Sequence, residues 1–302
     1  MKKLYRYIIL FLMPIIAFLI LIQPQKRLKF SGLKDDCFNH GIWIHDRIYK
    51  NADPVDIAIL GSSHTINAVN DKLVDSLLDK SVVNLGYCRL GRNLTYVLLK
   101  DILEKKSPET IIVEVREDED RYSHPVFPLV ASTTDVLLPV ALFNRDILAD
   151  IWTHFSYKTE LFRDNLYNAL EVQDVRMENY GFASHPDTAK ISYLDSIKKK
   201  RSVYKEPLAR WERNFHMKYP KAYLKKIYQL CEKNKQQLFF LYLPSYGRPF
   251  DIPKNNNYYK KNGRLLIPPD HILKNRDYWY DKSHMNKAGA NALSFWLAHE
   301  IQ

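Results

Sequence analysis

Asp56–Thr65 reads DIAILGSSHT. A short aliphatic run ends at a glycine, two serines and a histidine follow, and helical spacing resumes almost at once. The chain spends only 9 glycines over 302 residues, so one placed directly after a buried-looking run marks a strand-to-helix turn. At such a turn Gly61 permits close backbone approach, a serine is displayed at the carboxyl edge of a sheet, and nearby amides can stabilise an oxyanion. Taken alone, Ser62 and Ser63 read first as a helix cap or a turn.

Working outward, the flanking segments alternate in period. Val55–Leu60 is strand-like, Asn70–Leu78 carries apolar residues at helical spacing, and Ser81–Leu85 is strand-like again. Asn93–Leu103 returns to helix, followed by the strand TIIVEV at Thr110–Val115. Strands separated by helices predict an α/β domain with a parallel sheet and helices on its faces. Residues 118–236 interrupt the rhythm with Pro-bearing turns and helical patterns at Ala141–Trp152 and Thr159–Leu170, the mark of a large, mainly helical insertion or cap. A helix around Tyr219–Lys233 then leads into the strand Gln237–Leu243. Pro244–Arg264 reads as a polar loop able to reach an active-site mouth, and a helix carrying Leu293, Trp296 and Leu297 closes the chain.

At the N-terminus, Tyr7–Gln25 is an uncharged 19-residue stretch between basic flanks. At about 1.5 Å per helical residue it nearly matches a hydrocarbon core of about 30 Å. Gln-Pro-Gln-Lys-Arg follows where a small-residue cleavage site would stand, so residues 1–29 are expected to be a retained anchor. A cleaved signal and a buried helix are the competing readings. Residues 30–54 would connect it to the domain at 55–302. The net charge of +11 is concentrated here, because residues 1–29 hold six basic residues and no acid, leaving 39 basic against 34 acidic residues elsewhere. Such a distribution suits a membrane surface or an anionic envelope polymer, and no motif supports nucleic-acid binding. The Lys198–Arg201 basic run reads first as a solvated face. Cys37, Cys88 and Cys231 form no close metal-binding pair; structural thiols are the default, with one disulfide open to a chain outside the cytoplasm. His124, His154 and His185 are too scattered to suggest a metal site.

The second chemical motif lies far along the chain, at Asp281-Lys282-Ser283-His284. His284 could take the proton of Ser63 during attack on an ester carbonyl, with Asp281 orienting the imidazole. Surface residues before a helix are the bland alternative. Together the two motifs resemble the SGNH/GDSL hydrolase superfamily, especially its membrane-associated members related to teichoic-acid D-alanylation and polysaccharide O-acetylation. Gly61-Ser62-Ser63 stands where the family has Gly-Asp-Ser, making Ser63 the nucleophile; Asp281 and His284 match the terminal Asp-x-x-His block. The resemblance covers roughly residues 55–117 and 237–302.

What it implies is a flavodoxin-like three-layer α/β/α core and serine-dependent acyl chemistry without a cofactor or metal. It also implies an oxyanion hole from the amides of Ser63 and Gly86. The family's Gly-x-Asn-Asp block is only partly present as Gly91-Arg92-Asn93, which makes Asn93 its weak counterpart. His64, Arg92 and Arg116 are candidate substrate contacts, the arginines suiting an anionic group, although each arginine alone reads first as a structural ion pair. The expected role is acyl transfer, with acetyl the leading group, to or from a cell-envelope glycan or polymer. The protein would be a single-pass protein of the cytoplasmic or inner membrane, with its catalytic domain periplasmic or extracellular and a membrane-bound acyltransferase as partner. A carbohydrate acyl-esterase and a catalytically silent envelope binding or assembly protein are the alternatives.

Overall fold

The computed structural model describes residues 2–21, 24, 26–31, 33, 40–119, 121–137, 142–166, 179–202, 209–248 and 251–302. Five strands, β1 (Ile57–Leu60), β2 (Val82–Asn84), β3 (Thr110–Val115), β4 (Gln237–Tyr242) and β5 (Arg264–Leu266), form one parallel sheet in the order β2-β1-β3-β4-β5. Its register is set by pairings such as Ile59 with Asn84, Ile59 with Ile112, and Val113 with Phe240. The central strands β1 and β3 are buried along their whole length, which is why they read as largely apolar runs.

Strand alternation divides the core in two. Ala58, Leu60, Val83, Ile111, Val113 and Phe240 point to one side, Ile57, Ile59, Val82, Ile112, Phe239 and Leu241 to the other. The first side is covered by α3 (His40–Tyr49), α6 (Arg92–Lys105) and α12 (Lys218–Lys233), which bring Ile44, Leu98 and Tyr223. The second is covered by α5 (Asp71–Leu78) and α15 (Lys287–Ile301), through Val74, Leu293 and Leu297. Helix α5 starts where expected because Asn70 caps it, its side chain accepting a hydrogen bond from the Leu73 amide. The short helix α4 (Ser63–Ala68) follows β1 and packs beside α15.

Preceding the sheet are α1 (Lys2–Leu21), with Pro14 inside it, and α2 (Lys26–Ser31). Among the described residues no helix is long and apolar enough to cross a membrane, so the spanning helix expected from Tyr7 to Gln25 receives no support from the fold. Between β3 and β4 come α7 (Phe127–Val130), α8 (Thr133–Val136), α9 (Ile147–Leu166), α10 (Ile191–Ser202) and α11 (Arg210–His216) before α12. Within the helical patterns at Ala141–Trp152 and Thr159–Leu170, residues 147–166 form one helix, α9, whose periodicity runs through the polar residues between them; 142–146 precede it outside the helix, and 141 and 167–170 lie outside the described residues. Because α12 packs on α6 and leads directly into β4, it belongs to the layered core rather than to a separate cap.

The polar stretch after β4 also holds structure that was not expected. It contains α13 (Asn256–Asn262), whose Tyr259 is fully buried, and ends at the edge strand β5. After it come α14 (Asp270–Leu273) and a 3₁₀ turn at Arg276–Tyr278. Cys88 is disulfide-bonded, while Cys231 is a free, buried thiol.

Candidate active site

In this strand order the crossovers leaving β1 and β3 diverge, opening a crevice at the carboxyl ends of those two strands. Ser63 begins the helix after β1, and Arg116 follows β3. Directly opposite, the turn before α15 is pinned into shape. Trp279 and Met285 pair across it, and Asp281 Oδ1 accepts the amides of Ser283 and His284 at 2.6 and 2.8 Å. Asn286 caps α15 by accepting from the Gly289 amide.

That turn delivers His284 to Ser63. The Nε2 to Ser63 Oγ distance is 2.9 Å, and Nδ1 lies 2.8 Å from Asp281 Oδ2. A carboxylate can only accept, so Nδ1 carries the ring proton and Nε2 offers its lone pair to the Ser63 hydroxyl. Burial alone would raise the Asp281 pKa, but the His284 ring and the two turn amides overcome it and hold the group at about 2. The carboxylate therefore stays ionised, as an imidazole-orienting group must be.

Ser62 is excluded from the same role by its own bonding. Its hydroxyl donates to Glu114 at 2.8 Å and accepts from Arg116 Nη2 at 2.5 Å and from the His64 amide at 3.1 Å. One donor and two lone pairs are all a hydroxyl has, so Ser62 is fully occupied and fully buried. Glu114 anchors this whole turn. Besides Ser62 it accepts from the Ser62 amide at 2.6 Å, Thr65 Oγ1 at 2.5 Å and Arg116 Nε at 2.8 Å. Its burial pushes the pKa upward, yet the Arg116 guanidinium, His64 and these donors bring it down to about 2. Gly61 is needed for space: a Cβ there would stand 1.9 Å from Thr65 Oγ1 and 2.6 Å from Glu114 Oε2.

His64 sits beside the relay, edge-on to His284 with ring centroids 5.7 Å apart. Its Nδ1 donates to the Leu243 carbonyl at 3.1 Å, which leaves Nε2 as an acceptor. Burial first, then the adjacent Arg116 charge, lowers its pKa to about 3, so it is neutral at physiological pH. From the inserted region, His185 stacks on Tyr280 at 4.0 Å and lies 6.3 Å from His284.

Ser63, His64 and His284 line a cavity of about 710 Å³, with Arg89, Arg92, Arg116 and Arg248 in its wall. Arg92 is tied up, forking onto Glu119 and donating to the Glu114 carbonyl at 2.6 Å. Arg248 pairs with Glu117 at 3.3 Å but is half exposed. Arg116 spends Nε and Nη2 on Glu114 and Ser62, and Nη1 has no partner among the described residues. Arg89 adopts a positive φ of 66° in the loop between β2 and α6.

The two remaining oxyanion candidates are turned elsewhere. Gly86 donates its amide to Asn84 Oδ1 at 3.1 Å and does not line the cavity. Asn93 is buried, giving its Nδ2 to Ser123 and Tyr219 and taking the amides of Leu94 and His124 on Oδ1. The Ser63 amide, at the first turn of α4, has no hydrogen-bond partner among the described residues. Sequence reasoning missed Glu114, Arg89, Arg248 and His185; for Glu114 the signal was a carboxylate inside the otherwise apolar strand TIIVEV. Among the described residues no cluster of three His, Cys, Asp or Glu side chains could hold a metal ion.

Comparison with family models and with curated proteins gives no match to this chain.

Proposed function

We propose that this chain is an SGNH-like serine enzyme that transfers an acyl group, with acetyl the leading candidate, to or from a cell-envelope polysaccharide or polymer. The observation carrying the proposal is the continuous hydrogen-bonded series Ser63–His284–Asp281 at the foot of an arginine-walled cavity. The strand order and the two-sided helical cover support a flavodoxin-like core.

In the first half-reaction Ser63 Oγ attacks the acyl carbonyl while its proton passes to His284 Nε2. Asp281 stabilises the resulting imidazolium through Nδ1, and the free Ser63 amide meets the developing oxyanion. The leaving alcohol takes the proton from His284 as its bond to the acyl carbon breaks. An acceptor hydroxyl then attacks the Ser63 ester and gives its proton to Nε2; as the bond between the acyl carbon and Ser63 Oγ breaks, Nε2 passes that proton to Oγ, and the new ester departs with Ser63 and His284 restored. Water in that position gives hydrolysis by the same groups. Arg116 Nη1, Arg89 and Arg248 suit an anionic acceptor or donor.

Placement outside the cytoplasm is supported by the Cys88 disulfide. In this reading the apolar N-terminal segment holds the domain at the cytoplasmic or inner membrane, where a membrane-bound acyltransferase could supply the acyl group. A silent binding or assembly protein is favoured by one observation, the engagement of both Gly86 and Asn93 away from the cavity.

The deciding experiment incubates the membrane-reconstituted chain with acylated and unmodified envelope glycans. Released acid and acylated glycan are followed by mass spectrometry in the parent and in Ser63→Ala. Ser63-dependent acylated product supports transfer, and Ser63-dependent acid alone makes the chain an esterase. Turnover that survives the substitution, or none on any glycan with an acyl donor and membrane fraction supplied, overturns the proposal.

A further inference from the structure

A second cavity, of about 780 Å³, shares no lining residue with the first. It lies among α2, α6, α8 and α9, and Lys26, Lys29, Lys100 and Lys158 all reach its wall. Its carboxylates are already committed. Asp101 and Glu104 both receive Lys26, and Asp135 receives Lys100 at 2.8 Å and the Ser132 hydroxyl at 2.6 Å. Lys29 differs: it donates to the Ala131 carbonyl at 3.1 Å and has no carboxylate in ion-pair range among the described residues. An ammonium has three donors, so two remain for a ligand.

Lys158 converges on the same space from α9. It donates to Thr133 Oγ1 at 3.0 Å, and that hydroxyl is held by His154 Nε2, also at 3.0 Å. Because His154 Nδ1 faces the Pro128 carbonyl at 2.7 Å, Nε2 is the acceptor, and Thr133 must donate to it while accepting from Lys158. The lysine is thus held in one orientation by a chain of defined polarity. Pro24, just beyond α1, forms part of the rim.

We propose that this cavity binds a phosphate group between Lys29 and Lys158, with the remaining volume taking the alcohol to which the phosphate is esterified. The two remaining Lys29 donors beside the Lys158 charge suit an oxyanion with several acceptor oxygens, and lysine binds phosphate as a point charge. Burial, then the neighbouring Lys158 charge, lowers the Lys29 pKa to about 8, a strain that a bound anion would relieve. The same chemistry is presented by an anionic lipid headgroup and by a soluble phosphate ester. Only the lipid source depends on the membrane placement proposed above.

The test measures how fast the Lys29 amine is trinitrophenylated by trinitrobenzenesulfonate, with sulfite as the leaving group, in the full chain held in detergent micelles at about pH 8 where Lys29 titrates. Peptide mapping reads the modification. The probes are inorganic phosphate, glycerol phosphate, and dihexanoyl phosphatidylglycerol or phosphatidylcholine below their micelle concentrations. Saturable protection of Lys29 by phosphate-bearing anions is expected, weakened about tenfold in Lys158→Gln as loss of one charge-assisted contact predicts. Lys80→Gln, on the surface, should leave protection unchanged. Protection by phosphatidylglycerol alone identifies a headgroup, and protection by glycerol phosphate as well identifies a soluble ester. The proposal falls if no probe protects, if Lys158→Gln protects as well as the parent while melting at the same temperature, or if phosphatidylcholine matches phosphatidylglycerol. Ser63→Ala must retain the protection, which separates this result from any failure of the acyl chemistry.

Discussion

Glu114 is the residue on which the Gly61–Thr65 turn depends, since four groups that fix Ser62, Thr65 and Arg116 converge on its carboxylate. Glu114→Gln removes the charge facing Arg116, and breaking a buried ion pair costs about 3 kcal/mol. Denaturant titration should show that loss at neutral pH, and kcat should fall while the Ser63 hydroxyl survives. The pH dependence has a definite sign. Glu114 and Asp281 have folded-state pKa values near 2, below their ordinary 4.5 and 3.8. Their stabilisation is complete above those ordinary values and disappears as pH falls toward 2. The gap between parent and Glu114→Gln should accordingly close when melts are repeated from pH 7 down to about 2.5. For the relay itself, Asp281→Asn should lower kcat by roughly 10³–10⁴ with the fold intact, because the imidazole loses the partner that sets its tautomer. An Asp281→Asn variant with parental kcat would remove Asp281 from the proposal.

Elements explain what could be read in advance. The strands of the sheet centre were legible because burial on both faces leaves a largely apolar run, and Thr110–Val115 carries the same bounds in sequence and structure despite Glu114. Edge strand β5 was not, being three residues long and surrounded by polar and proline-rich sequence. The side chains Ser63, Asp281 and His284 could be named because local spacing defines each motif; whether they meet depends on α15 packing against α4. Gly86 and Asn93 illustrate the limit of such reasoning. Their sequence context marks a turn and a helix start, yet the direction of an amide is decided by Asn84 and Ser123, residues contributed by other spacings. At the β1–α4 junction, Gly61→Ala should destabilise by about 2–4 kcal/mol, since its Cβ has no room between Thr65 and Glu114. A melting temperature equal to the parent's would contradict that packing.

Across the whole molecule, the loop following β2 ties the disulfide to the cavity. Cys88 is bonded, its carbonyl receives His124 Nε2 at 2.5 Å, and Arg89, Leu90 and Gly91 immediately after it form the cavity wall. Reduction should lower stability by about 2–4 kcal/mol, in the ordinary range for a native disulfide. It should also raise KM more than it lowers kcat, because the wall loosens while Ser63 and His284 stay on their own elements. Equal steady-state constants with and without reductant would show that the loop is held by its other contacts. No spacing rule could have revealed this link, since cysteine pairing is a property of the folded chain.

The distance in sequence between Ser63 and His284 also gives the protein a biosynthetic timetable. When β1, α4 and β2 have been made, the serine is present without a base, and it stays inert through the synthesis of some two hundred further residues. Only when the Asp281–His284 turn arrives and α15 docks beside α4 does the hydroxyl acquire its proton acceptor. On the proposed acyl chemistry, a chain threaded unfolded through a membrane would pass any acyl ester on the near side as a spectator, and would become reactive only where its last elements come to rest.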